Sequence, residues 1–201
     1  DTSWNAYNLY YSKICEILSP SEGDLVLDAA CGVGKKISFP QNEIDIKGCD
    51  FSDQLIRKAK SRFPDIDSFV DDLMALKSRD LEYVKILINN AIFIFIHLLT
   101  KCFRSLYSAL KENGKVYLFD WSDFDKRHKI YNKRILYNIT YFLPVYQPTL
   151  EGFWYKKKWI ERSALEAGFN MFNFLTRGLI TEVMNMCEVN SIEKLFFSLD
   201  M

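Results

Sequence analysis

Histidine, proline and glycine are scarce, with 2, 5 and 8 copies in 201 residues, and 26 Lys plus Arg balance 26 Asp plus Glu. With a formal net charge of zero, the chain lacks the basic surplus by which a dedicated nucleic-acid binder neutralises phosphates. The five cysteines, Cys15, Cys31, Cys49, Cys102 and Cys187, include no C-x-x-C pair, so neither a zinc site nor a disulfide framework fits. Their odd number favours a reducing compartment, and the cytoplasm is the expected location. The longest apolar run, Ala91 to Ile96 followed by His97-Leu98-Leu99, is too short to span a bilayer. No secretory leader is recognisable near Asp1. Without a repeat or a low-complexity linker, residues 1–201 are expected to form one domain.

What is present is apolar and aromatic. Hydrophobic residues make up 49%, with 16 Phe and 11 Tyr, enough for a substantial core with aromatic groups left to line a pocket. Tyr7, Tyr10, Tyr11, Ile14 and Ile17 recur at helical spacing and predict a helix over 4–17, ended by Ser19-Pro-Ser-Glu-Gly23. Short apolar runs predict strands at 25–29, 44–50, 66–70, 85–89, 115–120, 169–175 and 194–199. Between them, helices are predicted from Ser52 or Asp53, one of which is the N-cap, and over 97–111 and 161–167. Gly114 is expected as the left-handed stop of the second of these. Such alternation predicts an α/β fold, a doubly wound, mostly parallel sheet of seven strands with helices on both faces.

The first strand ends in Leu25-Val-Leu-Asp28-Ala-Ala-Cys-Gly32-Val-Gly34, a turn that brings backbone close to a ligand. A phosphate-cradling G-x-x-x-x-G-K-[ST] loop is excluded, because Ala29 stands at its first glycine and Lys36 at its hydroxyl. The dinucleotide pattern G-x-G-x-x-G loses its third glycine to Ile37. Asn89-Asn-Ala91 and Tyr107-x-x-x-Lys111 imitate short-chain dehydrogenase motifs, but they lie too close together and no T-G-x-x-x-G-x-G loop accompanies them.

Asp28-Ala-Ala-Cys-Gly32-Val-Gly34 resembles instead the first motif of class I S-adenosylmethionine-dependent methyltransferases. Four further stretches resemble later motifs of that family in the right order: Gly48-Cys-Asp50-Phe51-Ser52, Val70-Asp-Asp72-Leu73, Leu110 to Phe119 around Gly114, and Leu165-Glu-Ala-Gly168-Phe169. The resemblance covers roughly Leu25 to Leu175 and implies a Rossmann-like fold. It further implies that S-adenosylmethionine is the cofactor and S-adenosylhomocysteine the product, with no metal.

The cofactor's methionine part carries an ammonium and a carboxylate, which a strand-end acid and the free N–H groups of a helix start can meet. Carried over by position, Asp28 orients the ammonium, and the backbone of Ala30, Cys31, Gly32 and Gly34 approaches the methionine part. Asp50 accepts both ribose hydroxyls. Phe51 lies on the adenine face, Asp72 accepts the adenine amine, the Leu73 backbone meets the ring edge, and Asn89 borders the methyl. Each has a plainer reading: Asp28 as a helix N-cap, Asp50 as a turn acid, Phe51 as core packing, and Asp71 in place of Asp72. Three features depart from the family. Ala30 replaces the usual first glycine and is compatible only with a backbone that is not left-handed. Pro40 shortens the helix after Gly34, and Val84 replaces the Asp expected before strand four.

The acceptor should approach above strand four, near Asn89, Asn90 and Phe93. Asn-Asn-Ala-Ile is not the Asn/Asp-Pro-Pro-Tyr turn of adenine methylation. Residues 123–159 hold ten aromatics, including Tyr131, Trp154 and Trp159. With an amino-terminal lid over 1–22, this insert forms either a cover over a small organic acceptor or extra helices on the sheet. Its basic residues, Lys126 to Lys129, Lys133, Arg134 and Lys156 to Lys158, form a solvated face or recruit an anionic acceptor or membrane surface. Catalysis needs a base only where the acceptor must lose a proton, and His128, Tyr7, Tyr11 and Tyr131 are candidates. His97 is expected to be structural. Two other functions compete: an NAD(P)-dependent oxidoreductase, and a methyltransferase-like partner module with weakened cofactor binding.

Overall fold

The computed structural model describes residues 11–12, 14–34, 44–78, 83–89, 91, 98–120, 157–175 and 195–200. Its elements in chain order are helix α1 (11–12 and 14–18), β1 (Leu25–Ala29), β2 (Asp45–Asp50), α2 (Asp53–Arg62), β3 (Asp67–Val70) and β4 (Tyr83–Asn89). They continue with α3 (Leu99–Ala109), β5 (Leu110–Asp120), α4 (Lys157–Ala167), β6 (Met171–Leu175) and β7 (Leu195–Asp200). The helix expected after Gly34 and most of the 123–159 insert lie outside the described residues.

The seven strands form one sheet in the order β3-β2-β1-β4-β5-β7-β6. Strands β1 to β5 pair in parallel, and β7 lies antiparallel between β5 and β6. The chain moves outward from β1 to β3 and returns to β4 on the other side of β1. That reversal places a topological switch point between β1 and β4, where open α/β sheets bind ligands beyond the strands' carboxyl ends.

Period-two alternation along the central strands builds two cores. Leu27, Ile86, Ile88, Val116 and Leu118 face Phe103 and Leu106 of α3 and Ile160 and Ala164 of α4. Val26, Leu87, Tyr117 and Phe119 face the other way, with Ile14 and Leu18 of α1 and Ile56 of α2. Each fully buried side chain of this size contributes about 1.5–3 kcal/mol. Tyr11 packs against the second core, so this candidate base is part of the helix's buried face. Tyr7, Tyr131 and His128 lie outside the described residues.

Ser52 caps α2, its side chain accepting from the Leu55 N–H at 3.3 Å. Asp53 pairs one turn on with Arg57. The expected left-handed stop at Gly114 is not observed. Helix α3 ends at Ala109, and Leu110 is already extended at φ −82°, ψ 143°, paired with Tyr83 of β4. Asn113 is the left-handed residue (φ 62°), while a Cβ on Gly114 would come within 2.7 Å of the Lys111 carbonyl. Glycine is needed there for close approach in an irregular stretch of the β4–β5 pairing. Helix α4 begins at Lys157, earlier than expected, and β6 begins at Met171, later than expected.

Candidate functional site

The carboxyl ends of β1, β2, β3 and β4 bring the expected residues to one edge of the sheet. Asp28 stands in register with Gly48 of β2 and Leu87 of β4, and is only 1% exposed. Asn89, the last residue of β4, is equally buried. Cys49 is wholly buried, and burial raises its thiol pKa well above 9.0; Cys31, Asp71 and Asp28 push the same way, against a backbone hydrogen bond from Ala30. Cys49 is therefore a neutral packing group rather than a nucleophile.

The loop after β1 follows an alternating backbone. Ala30, Gly32 and Gly34 all have positive φ, at 59°, 60° and 77°. Ala30 is therefore left-handed, contrary to the condition under which alanine was expected there. The conformation costs an L-residue roughly 1–2 kcal/mol. Surrounding hydrogen bonds hold it: the Cys31 N–H donates to the Cys49 carbonyl at 2.9 Å, and the Gly34 N–H to the Cys31 carbonyl at 3.1 Å. The glycines differ in purpose. A Cβ on Gly34 would meet the Phe63 ring at 3.0 Å and the Ala59 Cβ at 3.2 Å, so it serves packing against α2. A Cβ on Gly32 would meet nothing within 4 Å, so its backbone borders open space.

Asp50 joins this loop to the next turn. Its Oδ2 accepts from the Gly32 N–H and its Oδ1 from the Ser52 N–H, each at 2.9 Å. Beside it, Phe51 is 77% exposed and does not join either core. Val70, paired with Asp50 in the β2–β3 register, is also exposed. Two apolar side chains thus stand in solvent next to a carboxylate, as a flat apolar ring with an attached polyol requires.

The turn after β3 separates two adjacent acids. Asp71 is buried; its Oδ1 accepts from the N–H groups of Asp72 (2.9 Å) and Lys77 (3.1 Å), and its Oδ2 from Lys77 and Ser78 (both 3.1 Å). Asp72 is half-buried, and its Oδ1 accepts from the Met74 N–H at 2.8 Å. Leu73 packs its side chain into the first core. Sequence reasoning missed Ser105, a buried polar residue on the apolar face of α3, whose Oγ accepts from the Leu76 N–H at 2.8 Å. Its only signal was a hydroxyl within the helix's apolar stripe.

Among the described residues, no group of three His, Cys, Asp or Glu is placed to hold a metal ion. None of their helices is long and apolar enough to cross a membrane.

A family model described as a methyltransferase domain matches residues 26–114, the span from β1 to the start of β5 that carries every residue above. This span is similar to a methyltransferase domain. Solved structures share the fold at low identity. The TehB-like SAM-dependent methyltransferase of Corynebacterium glutamicum is 16% identical, with TM-score 0.63 over 94% of this chain and 85% of its own. The YcgJ protein of Bacillus subtilis is 10% identical, with TM-score 0.68 over 98% and 97%. Phosphoethanolamine N-methyltransferase 2 of Haemonchus contortus, in complex with phosphomonomethylethanolamine and S-adenosylhomocysteine, is 15% identical, with TM-score 0.68 over 95% of this chain and 52% of that one. Among curated proteins, none matches this chain in sequence.

Proposed function

We propose that this chain binds S-adenosylmethionine across the carboxyl ends of β1 to β4 and transfers its methyl group to a small organic acceptor by in-line displacement. One observation carries the reading. The Asp50 carboxylate ties the Gly32 loop to the Ser52 turn, beside the exposed Phe51 and the open space at Gly32. The residues fit the group: a Cβ-free backbone, a carboxylate at ribose reach, and an apolar platform for a purine.

In this reading Asp28 orients the ammonium, and the backbone of Ala30 to Gly34 accommodates the methionine carboxylate. Asp50 takes the ribose hydroxyls on its remaining lone pairs, and Phe51 and Val70 flank the adenine. Asp72 accepts the adenine amine, Leu73 offers its N–H to the ring, and Asn89 borders the reacting end. When bound, the cofactor supplies an electrophilic methyl on a good leaving group, so the protein contributes mainly positioning and exclusion of water. The small acceptor is supported by the fold neighbour that holds phosphomonomethylethanolamine beside S-adenosylhomocysteine. The described cysteines are free, which supports a reducing, cytoplasmic setting.

The left-handed Ala30 favours a second reading, a methyltransferase-like partner module with weakened cofactor binding. Thermal unfolding with S-adenosylmethionine, S-adenosylhomocysteine, NADH or ATP separates the two. A ligand at about a hundredfold over its Kd stabilises by roughly 2.7 kcal/mol. A shift with only the two adenosyl compounds, absent in Asp50→Ala, is the expected result. No shift with any ligand leaves the partner module, and a shift with NADH alone overturns both.

A further inference from the structure

We infer that Asp71 is the positioning residue for adenine selection, acting through Asp72 and Leu73; the inference rests on the cofactor reading proposed above. The backbone N–H groups of the turn are nearly all committed. Asp71 takes those of Asp72, Lys77 and Ser78. The Asp72 side chain takes that of Met74, its carbonyl that of Ala75, and Ser105 that of Leu76. The Asp71 N–H itself donates to the Asp50 carbonyl at 3.1 Å, which fixes where the turn leaves the sheet. Among the backbone N–H groups from Asp71 to Ser78, only that of Leu73 has no hydrogen bond to the described residues, and Asp72 Oδ2 beside it is likewise unengaged.

Those two groups are one donor and one acceptor on adjacent residues. Adenine presents the complement on its Watson–Crick edge, an acceptor at N1 beside a donor at N6. Hypoxanthine presents the reverse, a donor at N1 beside an acceptor at O6. Misplacing either protein group weakens adenine binding and relaxes rejection of the 6-oxo base, because rejection depends on polar groups held where they cannot turn away. Asp71 is the anchor of this arrangement. Its buried carboxylate closes the turn over the seven residues from Asp71 to Lys77 and takes the N–H of Asp72 itself.

The test is calorimetric titration with S-adenosylhomocysteine and S-inosylhomocysteine of the wild type, Asp71→Asn, Asp72→Asn and the double variant. The wild type is expected to prefer the adenosyl compound by about tenfold or more. Asp71→Asn should lose most of that preference, and the double variant should lose no more than Asp72→Asn alone. Lys77→Pro, which removes the N–H shared by both Asp71 oxygens, is the second variant if Asp71→Asn does not fold; it should lower the same ratio. An unchanged ratio in Asp71→Asn, or in Lys77→Pro where that variant stands in, together with a lower Tm would mean that Asp71 merely holds the fold, which overturns the inference. A wild type that binds the adenosyl compound without preference overturns it through Asp72. A wild type that binds neither overturns the cofactor reading and this inference together.

Discussion

The Gly32 N–H donates to Oδ2 of Asp50 at 2.9 Å, joining two loops that lie 18 residues apart. The other carboxylate oxygen holds Ser52, the N-cap of α2, so one side chain fixes the glycine loop, the acidic turn and a helix start. Asp50→Asn must turn an NH2 group toward one of these N–H donors. Hydrogen bonds to a charged group contribute about 1.5–3 kcal/mol, so the ligand-free variant should lose about 1–2 kcal/mol of unfolding free energy. Affinity for S-adenosylhomocysteine should fall by about tenfold or more. Urea unfolding and calorimetric titration measure the two losses; a ligand-free stability equal to wild type would show that these bonds are inconsequential.

Ala30 is held at φ 59° and Gly32 at φ 60°, so exchanging the residue types should move stability in opposite directions. Ala30→Gly removes the left-handed penalty and should raise unfolding free energy by about 0.5–1 kcal/mol, after the entropy that glycine adds to the unfolded chain. Gly32→Ala should lower it by about 1 kcal/mol although the Cβ has room, and should also weaken ligand binding. Urea midpoints moving the same way for both would contradict the backbone assignment.

Gly34→Ala combines two costs, the positive φ of 77° and a Cβ 3.0 Å from Phe63. The expected loss is about 2–3 kcal/mol, larger than for Gly32→Ala. Gly34→Ala with Phe63→Leu should recover part of it. No recovery would place the whole cost in the backbone.

Asp24 and Lys85 form a half-buried pair at 2.7 Å, and Lys85 also donates to the Ser19 carbonyl. Burial pushes the Asp24 pKa up, but the Lys85 hydrogen bond, the Ser21 N–H and the Lys85 charge together hold it below 3.8. A depressed carboxylate contributes stability above its unfolded value and loses it as pH falls through its folded value. Lys85→Met should therefore cost about 1–2 kcal/mol at pH 7, with the gap to wild type narrowing below about pH 4. A gap constant from pH 7 to pH 3 would mean that the loss comes from packing.

Much of the site was legible along the chain. Gly32 and Gly34 stand out against a strand, Ser52 opens a helical pattern, and Asp50 ends an apolar run at the spacing of a neighbouring strand. These signals are local, and the structure keeps their elements. The stop of α3 was misread because Gly114 is a strong local signal, whereas pairing of Leu110 with Tyr83 draws the chain into the sheet four residues earlier. Ser105 gave little warning, since a buried hydroxyl on a helix has meaning only once the Leu76 N–H is beside it.

Asp71 and Asp72 are chemically identical neighbours, and no pattern in the chain says which of them the turn buries. Burial and three converging N–H groups make that division, and the same kind of constraint holds Ala30 left-handed against its own preference. The sequence by itself determined the alternation of elements, the glycine loop and the chemistry of the strand ends, because period, propensity and turn type depend on neighbours along the chain. The tertiary structure decided which acid is buried, which backbone is strained and where a helix yields to a strand. Those outcomes depend on hydrogen bonds and packing between residues distant in sequence.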